Sequence, residues 1–473
     1  MNKQHFRFSA LLIVLTVSFS FAQINGEIIE QDLDVFRHGH SIAKFWGTHY
    51  EMGYAYGYLF ADDIYYMVLE AMELVDSWGY SWPDMLTMLS FYTYKPDCIA
   101  DEFSGIADGV NDSLPAADLT SEDIRAVNMF GDISYLCRSV SSWGSTAASS
   151  EFTTITTRRL DYYTIGLESQ YHHVIAIFLP SDGSPQWINF AWPGFVSVAT
   201  GVNEFGTVAS LHDYSGSGTS PFMALPRVMA CRYALTMVTN PDISTHLDTV
   251  FTELNTYGCS TPGFLNYYVP NGYGGVIKHN RTHGYYEIRY PHPDCYDGEA
   301  IYTNNSDIDG SFVGSPWSSY YAAHAPSGDI SMNGQWEASG PSFHRLTVGV
   351  RRRGDIKIWF DGETPGGLTP TIELEWDELL NIPEIAYRKP STPTISAFPN
   401  PFNSSVTITL DCGSTSPERL SSTEIYDLSG RMIAKIEGGE QIWSPEPSIS
   451  SGVFLVRARI GEHSLTKRVV YLK

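Results

Sequence analysis

A chain of 473 residues that is 43% hydrophobic and 14% aromatic buries a large core, which excludes disorder over most of its length. It leaves room for one large domain and an accessory module. A formal charge of −24 argues against nucleic acid as a partner.

The first 22 residues have the three-part form of an export signal: Lys3 and Arg7, then the apolar run Leu11 to Phe21, then small residues in Ser20-Phe21-Ala22. The run is shorter than the ~20 residues a membrane span needs, and no other segment qualifies, so no stable membrane span is expected. A chain starting at Gln23 has 27 cations against 53 anions, −26. The stretch Ile42 to Val75 reads as helix, because Tyr50, Gly53, Tyr54, Gly57, Tyr58, Ala61 and Ile64 recur at spacings of three and four. Glycines on that face allow close packing. A second helix is expected near Ser121 to Asn128, with a Thr120/Ser121 cap and an acidic first turn.

Beyond Cys137 the pattern turns to short β-branched and aromatic runs, expected as strands at Phe152 to Thr157, His173 to Leu179, Gln186 to Trp192, Val196 to Gly201 and Thr207 to His212. Helices follow at Pro226 to Thr239 and Ser244 to Leu254, then strands at Gly274 to Tyr290 and Leu346 to Phe360. This order predicts an α+β fold of stacked antiparallel sheets covered by helices. The proline-rich run Lys389-Pro390-Ser391-Thr392-Pro393-Thr394 suits neither helix nor central strand and reads as a linker, residues 386–397. After it, Ser405 to Asp411, Glu424 to Asp427, Arg431 to Ile436, Val453 to Ile460 and Ser464 to Leu472 predict a small all-β sandwich at 398–473.

Four blocks in that sandwich fall in order: Phe398-Pro399-Asn400-Pro401-Phe402-Asn403, Glu424-Ile425-Tyr426-Asp427-Leu428-Ser429-Gly430-Arg431, Ser451-Gly452-Val453-Phe454-Leu455-Val456-Arg457 and Lys467-Arg468-Val469-Val470. Together they resemble the C-terminal sorting domain of type IX secretion cargo. The resemblance implies a secreted or cell-surface protein whose partner is the type IX secretion machinery.

Six cysteines stand at 98, 137, 231, 259, 295 and 412, and no two form a C-x-x-C pair. Cys137 opens the run Cys137-Arg138-Ser139-Val140-Ser141-Ser142-Trp143-Gly144, and Arg158-Arg159-Leu160-Asp161 follows about 20 residues later. This pairing resembles the acyl-coenzyme A:6-aminopenicillanic-acid acyltransferase family of N-terminal-nucleophile hydrolases, in which a cysteine starts one strand and an Arg-Asn-Leu-Asp block starts its partner. The upstream Tyr50-Glu51-Met52-Gly53-Tyr54-Ala55-Tyr56-Gly57 is similar to the helix of that family's propeptide. The resemblance implies a four-layer αββα sandwich over 137–385, a propeptide or small subunit over 23–136, self-cleavage between Leu136 and Cys137, and no cofactor. Arg159 stands where the family has asparagine.

The chemistry joins these residues. A thiol ionises near ~8.5 and an α-amine near ~7.7 to 8.0, so a freed Cys137 amine is basic enough to take the thiol's proton. Asp161 is then expected to hold the ammonium, and Arg158 to favour the thiolate. Gly201-Val202-Asn203-Glu204-Phe205-Gly206 and Tyr302-Thr303-Asn304 resemble the family's Gly-x-Asn-x-x-Gly and Thr-Asn blocks, which makes Asn203 and Asn304 candidate oxyanion donors. By themselves both also read as β-turns. Arg345 resembles the family's last recurring arginine, and Arg232 one on a post-strand helix with a structural part. His172-His173 and His212-Asp213 do not read as metal ligands, because neighbours on a strand point to opposite faces, and His212 is expected to line the pocket instead. Tyr162, Tyr163, Trp192, Phe195 and Tyr214 hint at a hydrophobic acyl pocket, with core as the commoner use of such residues.

Three functional readings stay open. The first is a hydrolase acting on a small-molecule acyl amide. The second is an acyltransferase or lipid-ester hydrolase on the same scaffold, and the third a surface-binding protein with a vestigial site.

Overall fold

The computed structural model describes residues 24–34, 36–129, 136–161, 167–213, 224–237, 246–258, 262–272, 274–280, 284–305, 312, 315–362, 370–380, 394–398, 400, 402–411, 420–427, 430–436, 441–446, 448–460 and 463–473. The export-signal residues 1–22, most of the linker, and Tyr162, Tyr163 and Tyr214 lie outside them. The chain divides into two units at residue 380.

The first unit opens with β1 (Gly26–Leu33) and β2 (Gly39–Gly47), an antiparallel pair. Residues 42–47, expected to be helical, are therefore strand. Residues 42–45 are buried without alternation, because β2 also pairs in parallel with a later strand along its whole length. The helix starts where its cap is. Thr48 accepts from the Glu51 N–H, and the Glu51 carboxylate accepts from the Thr48 N–H at 2.8 Å. From there run α1 (His49–Leu59), α2 (Ala61–Ser77), α3 (Trp82–Leu89), α4 (Ile99–Ser113) and α5 (Ser121–Met129).

Next come β3 (Leu136–Trp143), β4 (Thr154–Asp161), β5 (His172–Pro180), β6 (Trp187–Ala191), β7 (Thr200–Asn203) and β8 (Val208–Asp213). Helices α6 (Arg227–Met237) and α7 (His246–Tyr257) precede β9 (Gly263–Tyr268), β10 (Gly275–Asn280), β11 (Gly284–Arg289) and β12 (Ala300–Asn304). The unit closes with α8 (Ser318–His324), α9 (Met332–Ser339), β13 (His344–Arg352), β14 (Asp355–Gly362), β15 (Ile372–Glu375) and α10 (Trp376–Leu380).

Among the described residues nine strands form one sheet, in the order β1-β2-β5-β6-β7-β8-β9-β10-β11, and six form another, β12-β3-β4-β13-β14-β15. Every pairing is antiparallel except β2 with β5. Three apolar layers separate the elements. Phe45, Ala176, Phe178 and Leu211 of the larger sheet pack against Met52, Tyr56, Val68, Ile106 and Val228 of the helices. Ile175, Ile188, Val202 and Phe264 meet Leu346, Val348, Ile358 and Phe360 between the sheets. Val140, Ile155 and Tyr302 on the far face of the smaller sheet meet Trp317, Tyr321 and Met332 around α8 and α9.

Helices α1 and α4 touch backbone to backbone. A Cβ at Gly53 would lie 2.4 Å from the Glu102 carbonyl oxygen, and one at Gly57 2.1 Å from that of Ile106. From the other side, one at Gly105 would lie 2.3 Å from the Tyr50 oxygen and one at Gly109 2.2 Å from the Tyr54 oxygen. Only glycine permits this approach.

The second unit comprises β16 (Thr394–Phe398), β17 (Val406–Asp411), β18 (Leu420–Asp427), β19 (Met432–Ile436), β20 (Gln441–Trp443), β21 (Gly452–Ile460) and β22 (His463–Tyr471). The strand β16 takes residues 394–397, assigned above to the linker. The sheets β16-β17-β20 and β19-β18-β21-β22 share a core of Phe402, Val406, Ile425, Trp443, Phe454, Val456 and Tyr471. The sequence blocks serve this closure. Asn400 accepts from the Val470 N–H at 2.8 Å and donates to the Arg468 carbonyl at 3.1 Å, tying the first block to the last. Asp427 accepts from Arg431 N–H and Nε at 3.0 and 3.1 Å, around Gly430 at φ 83°.

Two outcomes are expected. Gly57→Ala forces the α1–α4 backbones apart and lowers stability by about 1–3 kcal/mol in chemical denaturation, as overpacked cores do. The second concerns His173 and His344, whose ring nitrogens have no hydrogen-bond partner between the sheets. Burial pulls the His173 imidazole down to about 3 and His344 well below its ordinary value. An unfolded histidine protonates near ~6.5, so this stability is whole above that pH and is lost as the pH falls below it. His173→Phe should therefore shrink the stability loss between about pH 7 and about pH 5 by about 2 kcal/mol, measured by denaturant titration at both.

Candidate functional site

The β3–β4 pairing decides which side chains meet. Its register sets Leu136 opposite Asp161, Cys137 opposite Leu160 and Ser139 opposite Arg158. Paired residues share a face and neighbours alternate. Cys137, Ser139, Ser141, Leu160, Arg158 and, from β12, Thr303 therefore face the larger sheet. Arg138, Arg159, Asp161 and Asn304 belong to the opposite face, toward α8 and α9.

Cys137 is 3% exposed, and its N–H donates to Asn305 Oδ1 at 2.6 Å. Burial pushes its thiol up to about 11. The Arg158 guanidinium opposes this by charge and by a hydrogen bond, while Asp213 and Asp161 add to the rise. At neutral pH roughly one such thiol in ten thousand is ionised, so the buried group needs a base before it attacks anything. Arg158, fully buried, is fixed by Thr200 Oγ1 at 3.2 Å, the Arg159 carbonyl at 2.6 Å and the Leu211 carbonyl at 2.8 Å. Three of its five N–H groups are thereby used, and the guanidinium also hydrogen-bonds the Cys137 thiol.

The other expected residues are placed elsewhere. Asp161, at the exit of β4, accepts from Arg159 Nη2 at 2.9 Å and Ser342 Oγ at 2.8 Å. Arg159 also donates to the Ser339 and Pro341 carbonyls, so the residue in the family's asparagine place staples the 339–341 turn to Asp161. Arg345 lies opposite Arg159, on the face away from Cys137. It pairs with Asp361 at 3.1 Å, donates to the Trp336 and Gly340 carbonyls and stacks 3.6 Å over the Trp336 ring, which fixes the end of α9. Asn304 hydrogen-bonds the Tyr302 hydroxyl on that same outer face. Asn203 sits in the β7–β8 turn: its oxygen accepts from the Phe205 and Thr207 N–H groups and its amide donates to the Leu235 carbonyl. Arg232 donates to Glu102 and stacks on Trp187, as a structural residue would. The structure thus gathers Cys137 and Arg158 on one face, and it gathers Asp161, Asn304 and Arg345 on the other.

Apart from His212, expected to line the pocket, several neighbours were not read from the sequence. Asn305 is one; it lies just past β12 and differs from Asn304 only in parity. Another group runs through His212 Nε2 to Ser139 Oγ at 3.1 Å, on to the Tyr268 hydroxyl at 3.1 Å and to Thr303 Oγ1 at 2.9 Å, where Arg289 donates at 3.0 Å. Burial, then the charge of Arg158, holds His212 well below its ordinary value, so it is a neutral imidazole. Asp213, beside it, is paired to Arg227.

A hydroxyl–imidazole–carboxylate chain also occurs on β2: Ser41 Oγ lies 2.8 Å from His172 Nε2, and His172 Nδ1 lies 3.4 Å from Asp63. Ser41 is fully buried, and Arg37 caps the chain through Asp63, so it fastens α2 to the sheet. Among the described residues no set of metal-ligating side chains includes Cys137, and the cysteines at 98, 137 and 231 are free thiols.

Arg158→Met removes the charge that opposes the rise of the thiol. Alkylation of Cys137 by iodoacetamide at about pH 8, followed by peptide mass spectrometry, should slow several-fold in the uncleaved chain. An unchanged rate would show that the guanidinium does not govern the sulfur.

Residues 396–472 match the secretion system C-terminal sorting domain. The protein is therefore exported, to a secreted or cell-surface location, and its C-terminal unit engages the type IX secretion machinery. Comparison with curated proteins returns no match. Among solved structures, the chain is similar to dimeric latent PorU from Porphyromonas gingivalis at 16% identity, over 27% of this chain and 12% of that one, with a TM-score of 0.13. It is also similar to PorZ, an essential surface component of the type IX secretion system of the same organism, at 11% identity, over 68% of this chain and 35% of that one, with a TM-score of 0.14. The chain thus spans a small part of each, and TM-scores this low describe no common fold. No helix of the described residues is long and apolar enough to cross a membrane.

Proposed function

We propose that this exported chain is a self-processing N-terminal-cysteine hydrolase of a small acyl amide. The observation that carries the reading is Cys137 on the inner face of β3, with Arg158 beside its sulfur and Asn305 on its backbone nitrogen. The layering of helices, two sheets and helices is what the αββα sandwich of N-terminal-nucleophile hydrolases requires, and it supports the same reading.

In the first step the Cys137 sulfur attacks the Leu136 carbonyl carbon, the C–N bond breaks, and the departing nitrogen takes the thiol proton. Water then hydrolyses the thioester, leaving the carboxylate of residue 136 and a free thiol. The liberated α-amine now provides the base that burial otherwise denies to the sulfur. Asn305 Oδ1, already bonded to this nitrogen, holds it in place, and Asp161 lies opposite the scissile residue to balance the ammonium. With substrate, the sulfur attacks the acyl carbon, the α-amine relays the proton to the leaving amine, and water releases the acid. An amine acceptor in place of water makes the same intermediate a transferase step, the second reading. The binding-protein reading draws support from one feature: Arg159 and Ser342 already occupy Asp161.

Terminal analysis of the mature protein by mass spectrometry is the test. The expected fragments are residues 23–136 and a chain beginning at Cys137. Cys137→Ala should leave one unprocessed, inactive chain, and Asn305→Leu should slow processing by roughly tenfold or more through loss of the nitrogen's partner. Activity in an uncleaved Cys137→Ala protein would falsify the assignment.

A further inference from the structure

A second group of chemically capable side chains lies on the helix side of the larger sheet. His49 is the first residue of α1, Cys98 is the N-cap of α4, and Glu102 is one turn further along α4. The glycine contacts between α1 and α4 hold the two helices at this approach. A ligating atom from each of the three lies within 4.8 Å of the others.

The carboxylate is incompletely satisfied. Glu102 is fully buried, and its Oε1 accepts from His49 Nδ1 at 2.6 Å and from Arg232 Nη2 at 2.8 Å. Its Oε2 is buried with no hydrogen-bond partner. A carboxylate oxygen left bare in the interior is costly, and a metal ion is a partner that Arg232 and His49, both on Oε1, do not supply to Oε2. His49 Nε2 has its own carboxylate, Asp182 Oδ2 at 3.2 Å. An imidazole that ligates through one nitrogen and is oriented by a carboxylate on the other is the usual arrangement around a bound metal. The cluster is also reachable: His49, Cys98, Asp182 and Arg232 line a cleft of about 420 Å³, closed on other sides by Pro96 and Tyr233.

We propose that His49, Cys98 and Glu102 bind a zinc ion, with its fourth position open to this cleft. The donor set selects the metal. One thiolate, one imidazole and one carboxylate suit zinc, whereas calcium and magnesium take oxygen ligands alone. Binding forms a zinc–sulfur and a zinc–nitrogen bond and releases two protons to solvent, one from the Cys98 thiol and one from His49 Nδ1, which faces the Glu102 carboxylate while Nε2 faces Asp182. The charges then balance, because the ion and Arg232 together offset Cys98, Glu102 and Asp182. The 2.6 Å separation of His49 and Glu102 widens to the roughly 3.4 Å of two ligands on a tetrahedral ion, a shift of less than an ångström. Three protein ligands with an open fourth position make a site for a water or a substrate oxygen rather than a sealed structural clasp. It shares no residue with the Cys137 region, so the fate of either assignment leaves the other intact.

The test uses the full-length purified chain, stripped with a chelator and titrated with zinc alone. One equivalent should bind, measured by calorimetry and elemental analysis, and Cys98→Ser and His49→Gln should each weaken binding at least tenfold. Cobalt in place of zinc should produce a thiolate-to-cobalt charge-transfer band that Cys98→Ser abolishes. If either variant fails to fold, the unaltered chain still decides: zinc should protect Cys98 from iodoacetamide and leave the labelling of Cys231 unchanged. Equal labelling of Cys98 with and without zinc, or full binding retained by the double variant His49→Gln/Cys98→Ser, overturns the site.

Discussion

Everything around the Cys137 thiol depends on the register of two strands. Because β3 and β4 pair with Cys137 opposite Leu160, the thiol and the Arg158 side chain project into the space between the sheets, two residues apart along the ladder. A slip of one residue would send the sulfur to the α9 side and bring Arg138 inward. The register is held by burial on both faces, with Val140 and Ile155 packed outward and Leu346 and Val348 inward. The geometry around the thiol is thus a property of the whole sandwich.

The same parity explains what the linear pattern could and could not convey. An Arg-x-x-Asp block reads as one constellation, yet residues three apart on a strand lie on opposite faces, which is why Arg158 turns toward Cys137 and Asp161 toward Ser342. The strands expected at 173–179, 186–192 and 207–212 were legible almost to their ends, since each is short, β-branched and bounded by turn residues. The expected run Val196 to Gly201, by contrast, meets β7 only at Thr200 and Gly201, and β9, β12 and β15 were not read. The strand β2 was not, because a strand buried on both sides loses its alternation and sits directly before a true helix. Asn203 had a turn residue's spelling and an oxyanion donor's, and its hydrogen bonds are those of the turn. The group of His49, Cys98 and Glu102 left only a Cys-x-x-x-Glu trace, since its third member is about fifty residues away and arrives by helix crossing. The terminal sandwich was legible because its four blocks are the residues that close it, as Asn400 does by binding the backbone beside Val470.

Burial sets the chemistry at two places in the first unit. It suppresses ionisation of Cys137 and of the three imidazoles His173, His212 and His344, so that, on the reading proposed above, the missing base comes from the polypeptide's own nitrogen. On the helix side the same exclusion of water leaves a carboxylate oxygen bare. One low-dielectric interior thereby denies the thiol a proton acceptor in one place and, on the zinc proposal, keeps a ligating oxygen available in another.

The nine-residue parallel ladder between β2 and β5 joins segments on either side of residue 137. Residues 24–129 also supply the edge hairpin of the main sheet and, through α1, α2, α4 and α5, most of what covers its outer surface. A backbone severed at 136–137 would therefore fall into two polypeptides that no longer share a bond but still share a single interior. The earlier segment would persist as a permanent subunit, and stripping it away would lay open the apolar side of the sheet.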